Sequence, residues 1–145
     1  MFPTFKDKEY IFTNLIGLRF GELEKGEVIV FKSPIDADKD FIKRVIGTPG
    51  DSISLQDGFV YVNEQKLDES EYLRPEVRTY GGSFLNEGES VTVPEGHVFM
   101  MGDNRPYSSD SREWGFLENG SVIGQSFFVY WPVSQARAIT NPYSN

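Results

Sequence analysis

An all-β fold is predicted for this sequence on three observations. Its apolar segments are short and rich in β-branched or aromatic residues. Gly, Pro, Asn and Asp punctuate them at close intervals. No window of about 11 or more residues holds a sustained helical apolar period. Residues 6–18 come nearest, and Thr13, Asn14 and Gly17 interrupt them.

The elements follow in order. Val28 to Phe31 reads as a strand entered from the turn Lys25 to Glu27. Phe41 to Ile46 reads as a second, stopped by the turn residues Gly47 to Asp51. Ser52 to Leu55 and Phe59 to Val62 flank Gln56, Asp57 and Gly58, which is a hairpin signal. Ser90 to Val93 and His97 to Met101 are strands joined by the turn Pro94 to Gly96. Val122 to Trp131 supplies a last long strand or a strand pair. Residues 64–89 are polar, acidic and turn-rich, which predicts a peripheral insertion, and Thr140 to Asn145 predicts a frayed tail.

Composition excludes several kinds of chemistry. The 145 residues suit one domain, with room for a small second lobe. There is no cysteine, hence no thiol nucleophile, disulfide or thiolate metal site. The single histidine, His97, leaves no cluster for zinc, and after Pro94 to Gly96 it reads as a turn or strand-edge residue. A net charge of −8 argues against nucleic acid as a partner. No apolar run approaches the roughly 20 residues needed to cross a bilayer. With 39% hydrophobic and 14% aromatic residues the chain is not disordered.

Two segments carry candidate chemistry. Gly102 to Gly115 packs Asp103, Arg105, Asp110, Arg112 and Glu113 among three serines directly after an apolar strand. It reads either as a solvated loop with local side-chain turns or as a loop braced by Asp–Arg pairs that positions hydroxyls. The other is Lys43-Arg44 inside an apolar strand. Phe41, Lys43 and Val45 share one face and Ile42, Arg44 and Ile46 the other, so each face receives one cation. The plain explanation is an edge strand that carries charges against aggregation. The sharper one is a desolvated lysine, whose lowered pKa lets a neutral amine act as a general base without histidine. Arg44 would then need a carboxylate, from Asp103 or Asp110.

Taken in order, these segments resemble the bacterial type I signal peptidases (leader peptidases), membrane-anchored serine endopeptidases with a serine–lysine dyad. Met1 to Phe5 is similar to the family's Ser-Met-x-Pro-Thr-Leu box, and Gly26 to Phe31 to its Gly-Asp-Val-Val-Val-Phe strand. Phe41 to Asp51 is similar to the lysine box, and Gly102 to Arg112 to Gly-Asp-Asn-Arg-x-x-Ser-x-Asp-Ser-Arg. The resemblance covers nearly the whole chain. It implies an antiparallel β-sheet core of the signal peptidase and LexA type: residues 1–51 and 96–140 form the catalytic core, 52–95 a small β insertion, and 141–145 a tail.

By position, the resemblance makes Lys43 the general base and Ser108 the residue that orients it. Arg44, Asp103, Asp110 and Arg112 become bracing. Asp40 to Lys43 would bind the substrate backbone by strand addition, with Phe5, Phe41 and Ile42 lining pockets for small residues before the cut. No cofactor and no metal are implied. The partners are signal peptides of exported preproteins and, for the whole protein, a membrane surface. The whole protein would be anchored with its catalytic domain outside the cytoplasm, and the present piece soluble.

One departure follows from the first box. The family's nucleophilic serine directly precedes the Met that here is Met1, so the expectation is a fragment that lacks its nucleophile, part of the oxyanion hole, one strand and the anchor. Such a chain leaves an unpaired edge beside Lys43 and does not cut signal peptides. Ser108, Ser109 and Ser111 match supporting serines and are not substitutes. The alternatives are a non-catalytic relative that binds peptides or assists assembly and, more remotely, a self-cleaving repressor domain of the LexA type. The last has no helical DNA-binding segment or basic patch in its favour.

Overall fold

The computed structural model describes residues 1–14 and 22–144. The short apolar runs become strands β1 (Tyr10–Asn14), β2 (Val28–Lys32), β3 (Asp40–Gly47), β4 (Ser52–Gln56), β5 (Phe59–Val62) and β6 (Gln65–Lys66). They are followed by β7 (Ser90–Thr92), β8 (His97–Met101), β9 (Leu117–Glu118), β10 (Val122–Trp131) and β11 (Arg137–Ala138). Every pairing among them is antiparallel. One sheet runs β1-β10-β2-β3-β8-β9, with β11 also paired to β10; the other runs β6-β5-β4-β7.

Turn chemistry sets the hairpins. Asp57 (φ 53°) and Gly58 (φ 81°) join β4 to β5 through two left-handed residues, the twist-compatible arrangement for a two-residue loop. Asn63 (φ 52°) and Glu64 (φ 66°) repeat it before β6, where the glutamate hides the usual Asn-Gly signal. Val122 to Trp131 forms a single strand rather than a pair.

Strands β3 and β8 are covered on both faces, because alternate residues feed two cores. Ile46, Phe99 and Met101 join Ile53, Leu55, Val60, Val62, Leu85 and Val93 of the second sheet and its loops. Val45, Val98 and Met100 join Ile29, Phe31 and Leu117 on the opposite face. A strand buried on both sides reads as a continuous apolar run, and Val98 to Met101 does. Any charge such a strand carries inward must find partners.

Three expectations need correction. Tyr10 to Asn14 forms a strand that the broken apolar pattern conceals; residues 15–18 of that stretch lie outside the described residues. The segment 64–89 is not peripheral: it sends Leu85, Tyr72 and Thr79 into buried positions. The chain end is held as well. The Tyr143 hydroxyl donates to the Asp68 carbonyl (2.8 Å) and lies 2.8 Å from the Tyr72 hydroxyl.

Candidate active site

The register of β3 decides where its two cations go. From Asp40 to Arg44 it pairs with β2, from Lys32↔Asp40 to Val28↔Arg44. On its other side, pairing with β8 begins only at Arg44↔Met101. Among the described residues no strand pairs with Asp40 to Lys43 on that side, which leaves them a free edge, and from Arg44 onward the strand is interior. The explanation of Lys43-Arg44 as mere edge charges fails for Arg44, which is 2% exposed.

Arg44 is compensated on every side. Its Nε and Nη2 donate to Asp103 Oδ1 (3.0 Å) and Oδ2 (2.9 Å), a bidentate pair. Nη1 donates to the Gly26 carbonyl (2.8 Å) and Nη2 also to Thr4 Oγ1 (3.3 Å). The Tyr72 ring lies 4.1 Å from the guanidinium carbon. Thr4 in turn donates its hydroxyl to Asp103.

The loop after β8 is built the same way. Asp110 accepts from Arg112 Nε and Nη2, both at 2.8 Å, and from the Gly102 amide (3.1 Å). It also caps the helical turn Ser111–Trp114 through the Arg112 amide. Burial works against ionisation of Asp110, but the hydrogen bonds and charge of Arg112 prevail, so its carboxyl lies below the ordinary value. Arg112 also donates to the carbonyls of Tyr80 and Arg105, both at 3.0 Å. Arg105 is buried and donates to Gly102 O (2.9 Å), Thr79 Oγ1 (2.7 Å) and the carboxylate of Glu69. The Ser111 hydroxyl accepts from the Met100 amide (2.8 Å), which ties the loop back to β8.

Lys43, one residue before Arg44, has a different environment. It is half-buried, and its Nζ donates to Ser108 Oγ at 3.1 Å and stands 5.5 Å from the Phe41 ring centre. Burial, the largest influence, lowers its pKa; Asp110 and Asp103 resist the shift and Arg112 adds to it. Gly102 makes the room. A Cβ there would sit 2.1 Å from Ser108 Oγ and 3.2 Å from Lys43 Nζ, so any side chain would displace the pair. The Met1 amino group is lowered by burial and by the Lys43 charge, with Asp103 opposing, which puts the chain's first nitrogen in the field of the same groups.

The predicted residues thus divide. Lys43, Ser108, Arg44, Asp103, Asp110 and Arg112 converge, and Asp103 rather than Asp110 is the partner of Arg44. Asp40 is exposed and pairs with Lys32 at 2.7 Å. Phe41 and Ile42 are half-buried on β3, with Phe41 edge-on to Phe31. Phe5 is half-buried where its amide bonds the Met1 carbonyl. Sequence reasoning did not assign Thr4, Glu69, Tyr72 and Thr79. The loop holds two arginines and two aspartates before Glu113, with Arg44 a third cation, a surplus that could have signalled a further carboxylate, but nothing local says that it comes from Glu69, 36 positions from Arg105. Among the described residues no three of His, Asp and Glu converge as metal ligands.

A partly desolvated amine hydrogen-bonded to a hydroxyl, beside a free strand edge, can hold a peptide and exchange protons with it. Residues 1–131 match the profile of the family described as signal peptidase, peptidase S26. The chain is 35% identical over 153 residues to signal peptidase IB of Staphylococcus aureus, covering 98% of this chain and 78% of that one. It is 36% identical over 147 residues to a probable signal peptidase I-2 of Synechocystis, covering 97% of this chain and 63% of that one. The crystal structure of a signal peptidase I from Enterococcus faecalis superposes with a TM-score of 0.60 at 30% identity, over 72% of this chain and 97% of that one.

Proposed function

The chain belongs to the signal peptidase family, peptidase S26, and from that premise we propose that it carries the base half of a serine–lysine dyad that removes signal peptides from exported preproteins. The observation that carries the reading is the Lys43–Ser108 pair: an amine lowered by burial, held at 3.1 Å by a hydroxyl, in space that only glycine at 102 leaves open. Neutral Lys43 takes the proton of a serine hydroxyl as that oxygen attacks the scissile carbonyl. It returns the proton to the leaving amine, then deprotonates the water that releases the acyl group. Ser108 orients the amine, and the Arg44–Asp103 and Arg112–Asp110 pairs fix the walls.

Ser108 already holds the amine, Ser111 is tied to the Met100 amide and Ser109 to Glu113, so none of these loop serines supplies the attacking hydroxyl. Substrate residues before the cut add to the free edge Asp40 to Lys43, with Phe5, Phe41 and Ile42 shaping shallow pockets for small side chains. Residues 1–51 and 96–140 act as the catalytic core and 52–95 as the insertion, in keeping with a second sheet drawn wholly from β4 to β7. The membrane surface meets the exposed aromatics of β1 and β10. Phe12 lies 4.4 Å from Tyr130 and 6.3 Å from Phe127, ring centre to ring centre, and Tyr10 and Trp131 stand beside them, exposed. Among the described residues no helix is long and apolar enough to cross a membrane. A net charge of −8 speaks against nucleic acid as a partner.

Two measurements test this. The Lys43 amine, followed by NMR of ε-labelled lysine, titrates below the ordinary lysine value of 10.5; a Lys43 that titrates at or above it removes the general base. The 145 residues bind a peptide with a small-x-small junction and leave it uncut. Specific cutting after that motif, abolished by Lys43→Ala, would overturn the assignment of the nucleophile to a position outside them.

A further inference from the structure

The free edge of β3 ends abruptly. A peptide laid along Asp40 to Lys43 with its C-terminal end toward Lys43 cannot continue along the sheet, because Arg44 is already paired with Met101. Residues beyond the reacting bond must leave the sheet beside Ser108, whose hydroxyl touches Lys43. The surface there is a cleft of about 690 Å³, with Ser108, Pro106, Tyr80, Gly81, Gly82 and Glu113 among its walls. Two exposed tyrosines frame it, Tyr80 at 65% exposure in the wall and Tyr107 at 87% on the turn that carries Pro106. Exposed aromatics beside a cleft supply rigid, amphipathic contact area.

The cleft and the edge differ in chemistry. Phe41 and Ile42 give the strand edge apolar side chains. The cleft is polar. Its buried cations Arg105 and Arg112 are neutralised by Glu69 and Asp110, and Arg78 is turned toward the carbonyls of Pro75 and Val77. Glu76 and Glu113 add carboxylates at its rim. A Cβ on Gly82 would fall 2.6 Å from the Arg112 carbonyl oxygen, so the Gly81-Gly82 wall stays bare backbone. Bare backbone and polar rims suit an extended, polar chain of varied sequence.

We infer that this cleft is the subsite for the polypeptide that follows the cleaved bond, the first few residues of the mature protein. The inference rests on the reading of Asp40 to Lys43 as the edge for the residues before that bond. It makes the 76–82 segment, with Pro106 and Glu113, a determinant of which mature N-termini are accepted.

Photo-crosslinking to the full chain separates the two claims. A peptide with an Ala-x-Ala junction and a polar extension is made in two forms, with a photoreactive residue three positions before the junction or two positions after it. The first form labels Phe5 or Asp40 to Ile42, which tests the edge. The second labels Tyr80 to Gly82 or Pro106 to Glu113, is displaced by unlabelled peptide, and loses at least threefold in yield in Tyr80→Ala while the first form is unaffected. If the first form labels the edge and the second labels elsewhere, the cleft assignment is overturned and the edge stands. If the first form misses the edge, or the two forms exchange targets, the edge reading fails and the cleft assignment falls with it.

Discussion

Lys43 and Arg44 are chain neighbours on one strand, and the protein treats them in opposite ways. The Arg44 guanidinium is fully enclosed and has a bidentate carboxylate, a carbonyl, a hydroxyl and an aromatic face around it. The Lys43 amine is partly enclosed and has one hydroxyl. The same contrast separates the Arg105–Glu69 and Arg112–Asp110 pairs from the Lys43–Ser108 contact. A buried cation given a matched anion is locked in its charged form and braces a wall; one given only a neutral hydroxyl is pushed toward neutrality, which a general base requires.

Substitutions can break that contrast, and the largest effect belongs to the braces. Asp103→Ala strands the Arg44 guanidinium in the interior and costs about 3–5 kcal/mol of stability. Urea unfolding measures it, and a loss below about 1 kcal/mol would show that the pair is no brace. Replacing both partners together, Arg44→Met with Asp103→Leu, recovers most of the loss, because no charge is left without a partner. Next is Gly102→Ala, whose methyl overlaps Ser108 Oγ and crowds Lys43 Nζ. It costs about 1–3 kcal/mol, and it breaks the Lys43–Ser108 contact, seen as a changed Lys43 titration by NMR. An unchanged titration would mean that Gly102 does not hold that space open.

Smaller effects sharpen the other side of the comparison. Ser108→Ala removes one hydrogen bond from a half-buried amine and costs about 0.5–1.5 kcal/mol in the same unfolding experiment. A cost like that of Asp103→Ala would place Ser108 among the braces. Lys43→Met reverses the sign. The Lys43 amine titrates lower in the folded chain than its ordinary value of 10.5. Between those two values the unfolded chain therefore binds more protons, and stability rises with pH across that window. Lys43→Met lacks this slope and melts roughly 2–5 °C higher at neutral pH. A melting point that falls would mean the amine contributes to stability instead of weakening it.

Much of the site was legible because its chemistry is local. The charge spacing of Gly102 to Gly115 offered a braced loop as one of two readings, and Asp110–Arg112 is a contact between residues two positions apart. Strand alternation put Lys43 and Arg44 on opposite faces, as observed. The rest was hidden by distance or by masking signals. Glu69, Tyr72 and Thr79 sit in a polar, turn-rich stretch that resembles solvent-exposed loop, and only the packing of that stretch against Arg44 and Arg105 reveals their part. Tyr10 to Asn14 escaped because its outward face is aromatic, which blurs the alternation of a half-buried strand.

Residue type and order alone carried the β class, the hairpin turns, the absence of thiol chemistry and the candidate lysine, since each depends on backbone preference or on the chemistry of a side chain. The pairing of charges came only with the assembled sheets. Whether Arg44 meets Asp103 or Asp110, and whether Lys43 meets an anion or a hydroxyl, depends on where β8 begins to pair with β3 and on the gap at Gly102. Those are distances between segments far apart in the chain, and burial, which lowers the Lys43 amine, exists only once they have closed around it.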